Sequence, residues 1–415
     1  MINVIELFAG VGGFRLGLEA TNGFNVVWGN QWEPSKKTQH AFECYARNFE
    51  NKGIHSNEDI STVDTKIFTN HNIDMIVGGF PCQDYSVARS LSGEKGIQGK
   101  KGVLFWEIIR LAQSTNPKYI LLENVDRLLK SPSKQRGRDF SIMLASLRDL
   151  NYTVEWRVIN AADYGQAQRR RRVFIFATKN ETAFVLNRQQ VPDEEMLRTE
   201  GFFAKAFPVI NELHEKKKPN SFIMKRDIVD ISDNFSMNYY NAGIMRDSVV
   251  YTEEVTPIQE TPISLKDILE HDVSEQYYLK ESSIEKFKYL KGPKKIERTS
   301  ATGHNYTFSE GGMSFPEPLD KPGRTMLTSE GTVNRSTHVV EDPTTNRLRT
   351  LTPVECERLN GFPDNWTQGM PERMRYFCMG NALVVGLIER MAQRIINIES
   401  ENIQGIQQEL FLSND

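Results

Sequence analysis

Over the first 180 residues, short β-rich runs alternate with stretches of helical periodicity. "NVIELFA" is followed by "GFRLGLEAT", "FNVVWG" by "PSKKTQHAFECYARNFE", "IDMIVGGF" by "GVLFWEIIRLAQ", and "KYILLENV" by "FSIMLASLRDLN", before "YTVEWRVIN" and "RVFIFAT" close the series. Strands separated by amphipathic helices predict parallel pairing through crossovers, hence a doubly wound α/β sheet. From about residue 182 the pattern gives way to polar, Lys-rich and Phe/Tyr-rich sequence such as "MNYYNAGIMRD" and "KFKYLKGPKKIER", which predicts a second, irregular domain over 182–345. Order returns in 346–415. Thr352, followed by Pro353 and then Glu355, has the spacing of a capping box. "ALVVGLIERMAQRIINI" is striped for a helix, and "ESENIQGIQQELFLSND" reads as a polar tail.

The chain has 415 residues, more than one core usually supports, and 39% of them are apolar. No apolar run reaches the roughly 20 residues that span a bilayer, and "MINVIELFAG" lacks the basic start of a signal peptide, so a cytoplasmic protein without membrane partners is expected. Cys44, Cys82, Cys356 and Cys378 are too scattered for a disulfide framework or a zinc site, so reduced thiols and no metal are expected. Charge is nearly balanced, 51 Lys and Arg against 54 Asp and Glu, which leaves any polyanion partner to local patches.

Three local patterns carry chemistry. "ELFAGVGGFR" puts glycines between the first strand and the first helix, where the backbone can approach a nucleotide-like ligand; Arg15 stands where a dinucleotide fingerprint needs its third glycine. "NQWEP" and "EDIS" follow the next strands, where a ribose and an adenine edge can be held, with Trp32 as a stacking surface. Cys82 stands just past the strand "DMIVGGFP" and before the Gly-, Ser- and Lys-rich "QDYSVARSLSGEKGIQGKKG", which has the composition of a lid. A free cysteine is usually core filler, but this position is at the ligand-binding edge of an open sheet. Glu123 and Asn124 end "LLENV" at the same edge, where partial burial raises a carboxyl pKa. In "QRRRR", alternation puts Arg170 and Arg172 on one face and Arg169 and Arg171 on the other.

In this order the motifs resemble those of the DNA cytosine-5 methyltransferase family: "FAGVGGFR", "GGFPCQDYS", "ENV", Gln168 with Arg170 and Arg172, then "GRTMLTSEG", "RLRTLTPVECERLNGFPD" and "MGNALV". The resemblance implies a doubly wound mixed sheet of the S-adenosyl-L-methionine (AdoMet)-dependent type. Residues 1–181 would form the first part of the catalytic domain, 182–345 an inserted target recognition domain, and 346–415 a hinge and the C-terminal helix completing the catalytic domain. It implies Cys82 as nucleophile on carbon 6 of a flipped cytosine, Glu123 stabilising nitrogen 3, Arg172 on the cytosine carbonyl, and Arg170 orienting Glu123 or a phosphate. The implied AdoMet contacts are Phe8, Gly10, Gly12, Gln31, Trp32, Asp59, Ile60, Pro81, Leu104 and Asn381. Gln31 replaces the acidic residue usual before Trp32, leaving Gln31 or Glu33 to hold the ribose, and Ala167 replaces a common proline before Gln168.

Site-specific methylation of duplex DNA by a monomer, in a restriction-modification or phage and host protection setting with any cognate endonuclease acting separately, is the resulting expectation. A transfer-RNA methylating relative would carry a shorter insertion than the one at 182–345. A catalytically silent DNA-binding relative would be expected to have lost Cys82, Glu123 or the arginines, all of which are present.

Overall fold

The structure, a computed structural model, describes residues 1–34, 36–80, 104–234, 236–299 and 303–412. Ten strands form one sheet: β1 (Ile2–Leu7), β2 (Phe24–Asn30), β3 (Ile54–Ser56), β4 (Met75–Gly79), β5 (Tyr119–Val125), β6 (Tyr152–Asn160), β7 (Arg171–Lys179), β8 (Asn220–Ile223), β9 (Ala242–Arg246) and β10 (Val249–Glu253). Their order is β3-β2-β1-β4-β5-β7-β6-β9-β10-β8. β1 to β5 pair in parallel, as the intervening helical sequences predict; from β5 onward the pairings are antiparallel. The reason is the connection. Between β6 and β7 there is only a 3₁₀ turn, Ala161–Tyr164, too short for a crossover, so the chain folds straight back.

Helices cover both faces. α3 (Leu104–Thr115) and α4 (Arg138–Asp149) bury Phe105, Ile108, Phe140 and Leu144 on one side. On the other, α1 (Gly13–Glu19) and the long helix Val385–Leu412 bury Phe14, Leu18, Ile388 and Met391. α2 (His40–Asn48) flanks the sheet and packs with the segment that precedes the long helix. A Cβ at Gly17 would lie 2.6 Å from Cβ of Ile388, so α1 and the C-terminal helix touch backbone to side chain only because position 17 is bare. The two ends of the chain thus pack together on one face of the sheet.

Two features differ from the sequence expectations. The sheet does not stop near residue 181: β9 pairs with β6, and Phe202, Phe203 and Phe207 join the core, so residues 182–253, grouped by composition with the irregular segment, pack onto the sheet. The expected polar tail is helical through Leu412, because its residues are mostly good helix formers and Glu399 and Asn402 find partners at the start of β5, Lys118–Glu399 at 2.6 Å just before the strand and Tyr119–Glu399 at 2.6 Å on it, with Asn402 donating to Tyr119 at 2.6 Å. The capping box forms as predicted: Glu355 N donates to Thr352 Oγ1 at 3.1 Å and Thr352 N to Glu355 Oε2 at 2.8 Å, opening the helix Pro353–Leu359. Beyond the sheet stand two small ribbons, β11 (Lys294–Thr299) with β12 (Asn305–Glu310) and β13 (Val339–Glu341) with β14 (Leu348–Thr350). No helix among the described residues is long and apolar enough to cross a membrane.

Candidate active site

The carboxyl ends of β1, β4 and β5 lie side by side, with Leu7 opposite Gly78 and Gly79 opposite Glu123. A Cβ at Gly79 would come within 3.2 Å of Glu123 Oε2, so the second glycine of "VGGF" leaves room for the carboxylate. Glu123 Oε1 receives Arg172 Nε at 2.8 Å, and both side chains are largely buried. Burial pushes the Glu123 carboxyl up, against the opposing pull of Arg172 and then Arg170. Next to it, Asn124 is buried and donates to the Phe80 carbonyl at 2.8 Å, while its own carbonyl accepts from Val125 N at 2.8 Å. Asn124 therefore fixes the residue from which the chain continues to Pro81 and Cys82. Those two, and the lid-like 83–101, lie outside the described residues.

The arginine run alternates as expected. Arg170 is buried and Arg172 faces Glu123, while Arg169 and Arg171 are exposed. The partners differ from those implied. Arg172, expected on the substrate carbonyl, is the residue that pairs with Glu123, whereas Arg170 donates to the carbonyls of Met326 and Gly380, each at 2.9 Å. Burial, followed by Arg172, pushes the Arg170 guanidinium down. Gln168 performs a similar tie, accepting from Met326 N at 2.8 Å and donating to Asn360 Oδ1 at 3.0 Å. The strand end bearing the site is thus bolted to segments more than 150 residues away.

The glycine loop follows β1. Phe8 at φ 54°, Gly10 at 57° and Gly12 at 91° all take left-handed backbone, which costs Phe8 strain that a glycine would not meet. A Cβ at Gly10 would meet nothing within 4 Å, so the loop faces open space suited to a ligand, while one at Gly12 would strike Phe49 at 2.4 Å. Gln31 Oε1 accepts from Gly10 N at 2.7 Å, which ties the loop to the end of β2 and leaves the Gln31 amide as a donor. Trp32 is 37% exposed. Asp59 caps the 3₁₀ turn Ile60–Thr62 by accepting from Ser61 N at 3.0 Å, and Ile60 is buried beneath it. Leu104 begins α3, and Asn381 ends the helix Glu372–Asn381, exposed. These residues fit a nucleoside with a short charged tail: open backbone, an aromatic face, and amide and carboxylate groups at successive strand ends.

Sequence reasoning passed over the support beneath this loop. Glu6 is fully buried in β1, receives Tyr45 OH at 2.8 Å and Arg15 N at 3.3 Å, and burial pushes its carboxyl up to about 7. Arg15 in turn donates to Tyr45 OH at 3.2 Å and to Glu19 at 2.7 Å and lies 4.4 Å over the Phe49 ring. A lone carboxylate inside the apolar run "VIELFA" was the available signal.

The chain matches the family model described as C-5 cytosine-specific DNA methylase over residues 2–397. It is 60% identical over 401 residues to the type II methyltransferase M.Sau3AI of Staphylococcus aureus, covering 96% of each chain, and 28% identical to M.SsoII of Shigella sonnei over 95% of this chain and 80% of that one. Among solved structures, a mutant of Spodoptera frugiperda DNMT2 shares the fold with a TM-score of 0.59 at 15% identity, covering 95% of this chain and 100% of that one. A site of strand-end glutamate, arginine and glycine loop, on a sheet of this order, agrees with what those matches show: the chain belongs to the C-5 cytosine-specific DNA methylase family and is an AdoMet-dependent DNA (cytosine-5-)-methyltransferase.

Proposed function

We propose that this protein methylates one cytosine within a defined duplex DNA sequence, after flipping it from the stack, by a covalent route through Cys82. It would act as a monomer and as the protecting half of a type II restriction-modification pair, the endonuclease working separately. The observation that carries the reading is Glu123, desolvated, held by Arg172, and packed against the strand whose chain runs on through Phe80 to Cys82.

Carbon 5 of cytosine is a weak nucleophile. The Cys82 thiolate adds to carbon 6, and the carbon 5–carbon 6 π electrons become those of an enamine as charge moves to nitrogen 3. Glu123, whose carboxyl burial pushes up, would in its protonated form donate to nitrogen 3 and neutralise that charge. Arg172 fixes the carboxyl by its Nε and, with Nη1 donating to the Arg171 carbonyl, would offer Nη2 to the base carbonyl. AdoMet supplies the electrophilic methyl group, and Gly10, Gln31, Trp32, Asp59 and Asn381 would hold it. Once carbon 5 carries the methyl, its proton leaves to a base, the electrons expel the Cys82 sulfur as the thiolate, and nitrogen 3 gives its proton back to Glu123. The part of 182–345 outside the extended sheet, about 256–345, would read the target.

Cys82→Ala is expected to abolish methyl transfer to duplex DNA while AdoMet binding, read by calorimetry, stays near wild type. Duplex carrying 5-fluorocytosine at the target should trap a protein–DNA adduct that survives denaturing electrophoresis, since fluorine cannot leave as the proton does. Full transfer by Cys82→Ala, or an active enzyme that forms no adduct, would overturn the covalent route.

A further inference from the structure

The β11–β12 ribbon is built unlike the rest of the protein. Six residues pair on each side, from Lys294 opposite Glu310 to Thr299 opposite Asn305, and nearly every side chain is exposed. A two-stranded ribbon is marginal in water by itself. Among the described residues this one is anchored at its root, where Arg335 donates to the carbonyls of Leu290, Gly292 and Gly311, on both sides of the ribbon, and where buried Lys291 and Arg324 share Glu317, at 3.2 and 2.7 Å. A firm root under an uncovered blade calls for a partner.

The register divides its faces. One carries Ile296, Phe308 and Tyr306, with the Arg298 guanidinium 4.0 Å over the Phe308 ring. The other carries only polar groups: Lys295, Glu297, Thr299, Asn305, Thr307 and Ser309. Two of these are already oriented. Thr299 donates to Asn305 Oδ1 and Thr307 to Glu297 Oε1, each at 2.7 Å, leaving the Asn305 amide as donor and the second Glu297 oxygen as acceptor. An amide suits the adenine edge and a carboxylate the cytosine amino group, and a two-stranded ribbon fits the major groove.

The root also adjoins the catalytic strand. Met313, whose N–H bonds the Lys291 carbonyl at 2.8 Å, lines an open cleft of about 440 Å³ with Arg324, Thr325 and Arg169. Arg169 N bonds Gly323 O at 2.8 Å, and Arg170 holds Met326, two residues before Arg172 meets Glu123. The root of the ribbon therefore shares a cleft with Arg169, which stands in the same arginine run as Arg172, the partner of Glu123.

We propose that the β11–β12 ribbon is the base-reading element, its polar face entering the major groove beside the methylated cytosine and setting the target sequence, with Asn305 and Glu297 as the discriminating residues. This rests on the function proposed above. The test measures, on the full-length protein, sequence-resolved methylation of genomic duplex DNA and kcat/KM on the preferred site for wild type, Asn305→Ala and Glu297→Ala, together with AdoMet binding and Tm. Each variant is expected to lose roughly 5- to 100-fold in kcat/KM on the preferred site, the size of one base-edge contact, and to tolerate a change at one position of it. AdoMet binding and Tm should not move. Wild-type kcat/KM and site pattern in both variants would overturn the assignment, as would an equal loss on every sequence, which marks a backbone contact, or a loss that tracks Tm, which marks a scaffold. If wild type itself methylates no duplex, the function proposed above fails, a result distinct from all of these.

Discussion

Glu123 and Glu6 are carboxyls in the same sheet, both raised by burial, and the consequences differ because only Glu123 stands at a strand end beside Arg172, while Glu6 is fully buried. Glu123→Gln keeps the shape and can still donate a hydrogen bond to nitrogen 3, but it cannot transfer a proton; kcat is expected to fall on the order of 10²-fold with AdoMet affinity unchanged. Because the working form is protonated, the wild-type rate should decline as pH rises through the raised pKa of Glu123, and the kcat profile of Glu123→Gln should lack that alkaline limb. Glu6 bears on stability. Its folded pKa of about 7 exceeds the ordinary 4.5, so the folded state binds the proton more tightly than the unfolded chain. That contribution is complete below pH 4.5 and is lost as pH climbs through 7, a swing of about 3 kcal/mol at most. Denaturant titrations should show wild type losing stability between pH 5 and 8 relative to Glu6→Gln; parallel curves would contradict the assignment. Gln31 shows what the residue alone can say. Its identity departs from the acidic pattern, but only the bond from Gly10 N reveals that its carbonyl is committed to the loop and its amide is left as a donor.

Elements whose cause lies within a few residues were legible. The Thr352–Glu355 box needs only its own spacing, and it formed; Thr352→Ala should cost about 1 kcal/mol, more if the added bond from Thr352 Oγ1 to Glu270 matters, measured as a lowered denaturation midpoint at unchanged slope. Parallel pairing of β1 to β5 was legible for the same reason, since a helix between two strands dictates a crossover. The helical end of the chain was not. "ESENIQGIQQEL" is polar on its own, and its helix is secured by Glu399 and Asn402 meeting Lys118 and Tyr119, some 280 residues earlier in sequence. Likewise "AGIMR" and "VVYTE" are too short to announce that they continue a sheet, and they do so because β6 offers an unpaired edge.

At the scale of the molecule, the two ends of the chain pack against each other beside the glycine loop, so a ligand held there is expected to couple to folding. AdoMet at about 100 times its Kd should add roughly 2.7 kcal/mol to the stability of the folded state, seen as a rise in Tm that a chain with Gln31 and Trp32 both replaced by Ala fails to show. By itself the sequence determined the strand–helix alternation, the order of the motifs, the strand-end positions of Glu123 and the glycine loop, and through them the family; all of these are properties of short windows, where periodicity and capping act. Only the tertiary structure decided that Arg172 rather than Arg170 pairs with Glu123, that Asn124 anchors Phe80, that Gln168 and Arg170 bolt the site to residues 326, 360 and 380, and that residues 220–253 belong to the sheet. Those outcomes depend on which buried polar groups find one another once the core excludes water, and a buried donor takes the acceptor that packing brings to it, however far away in the chain.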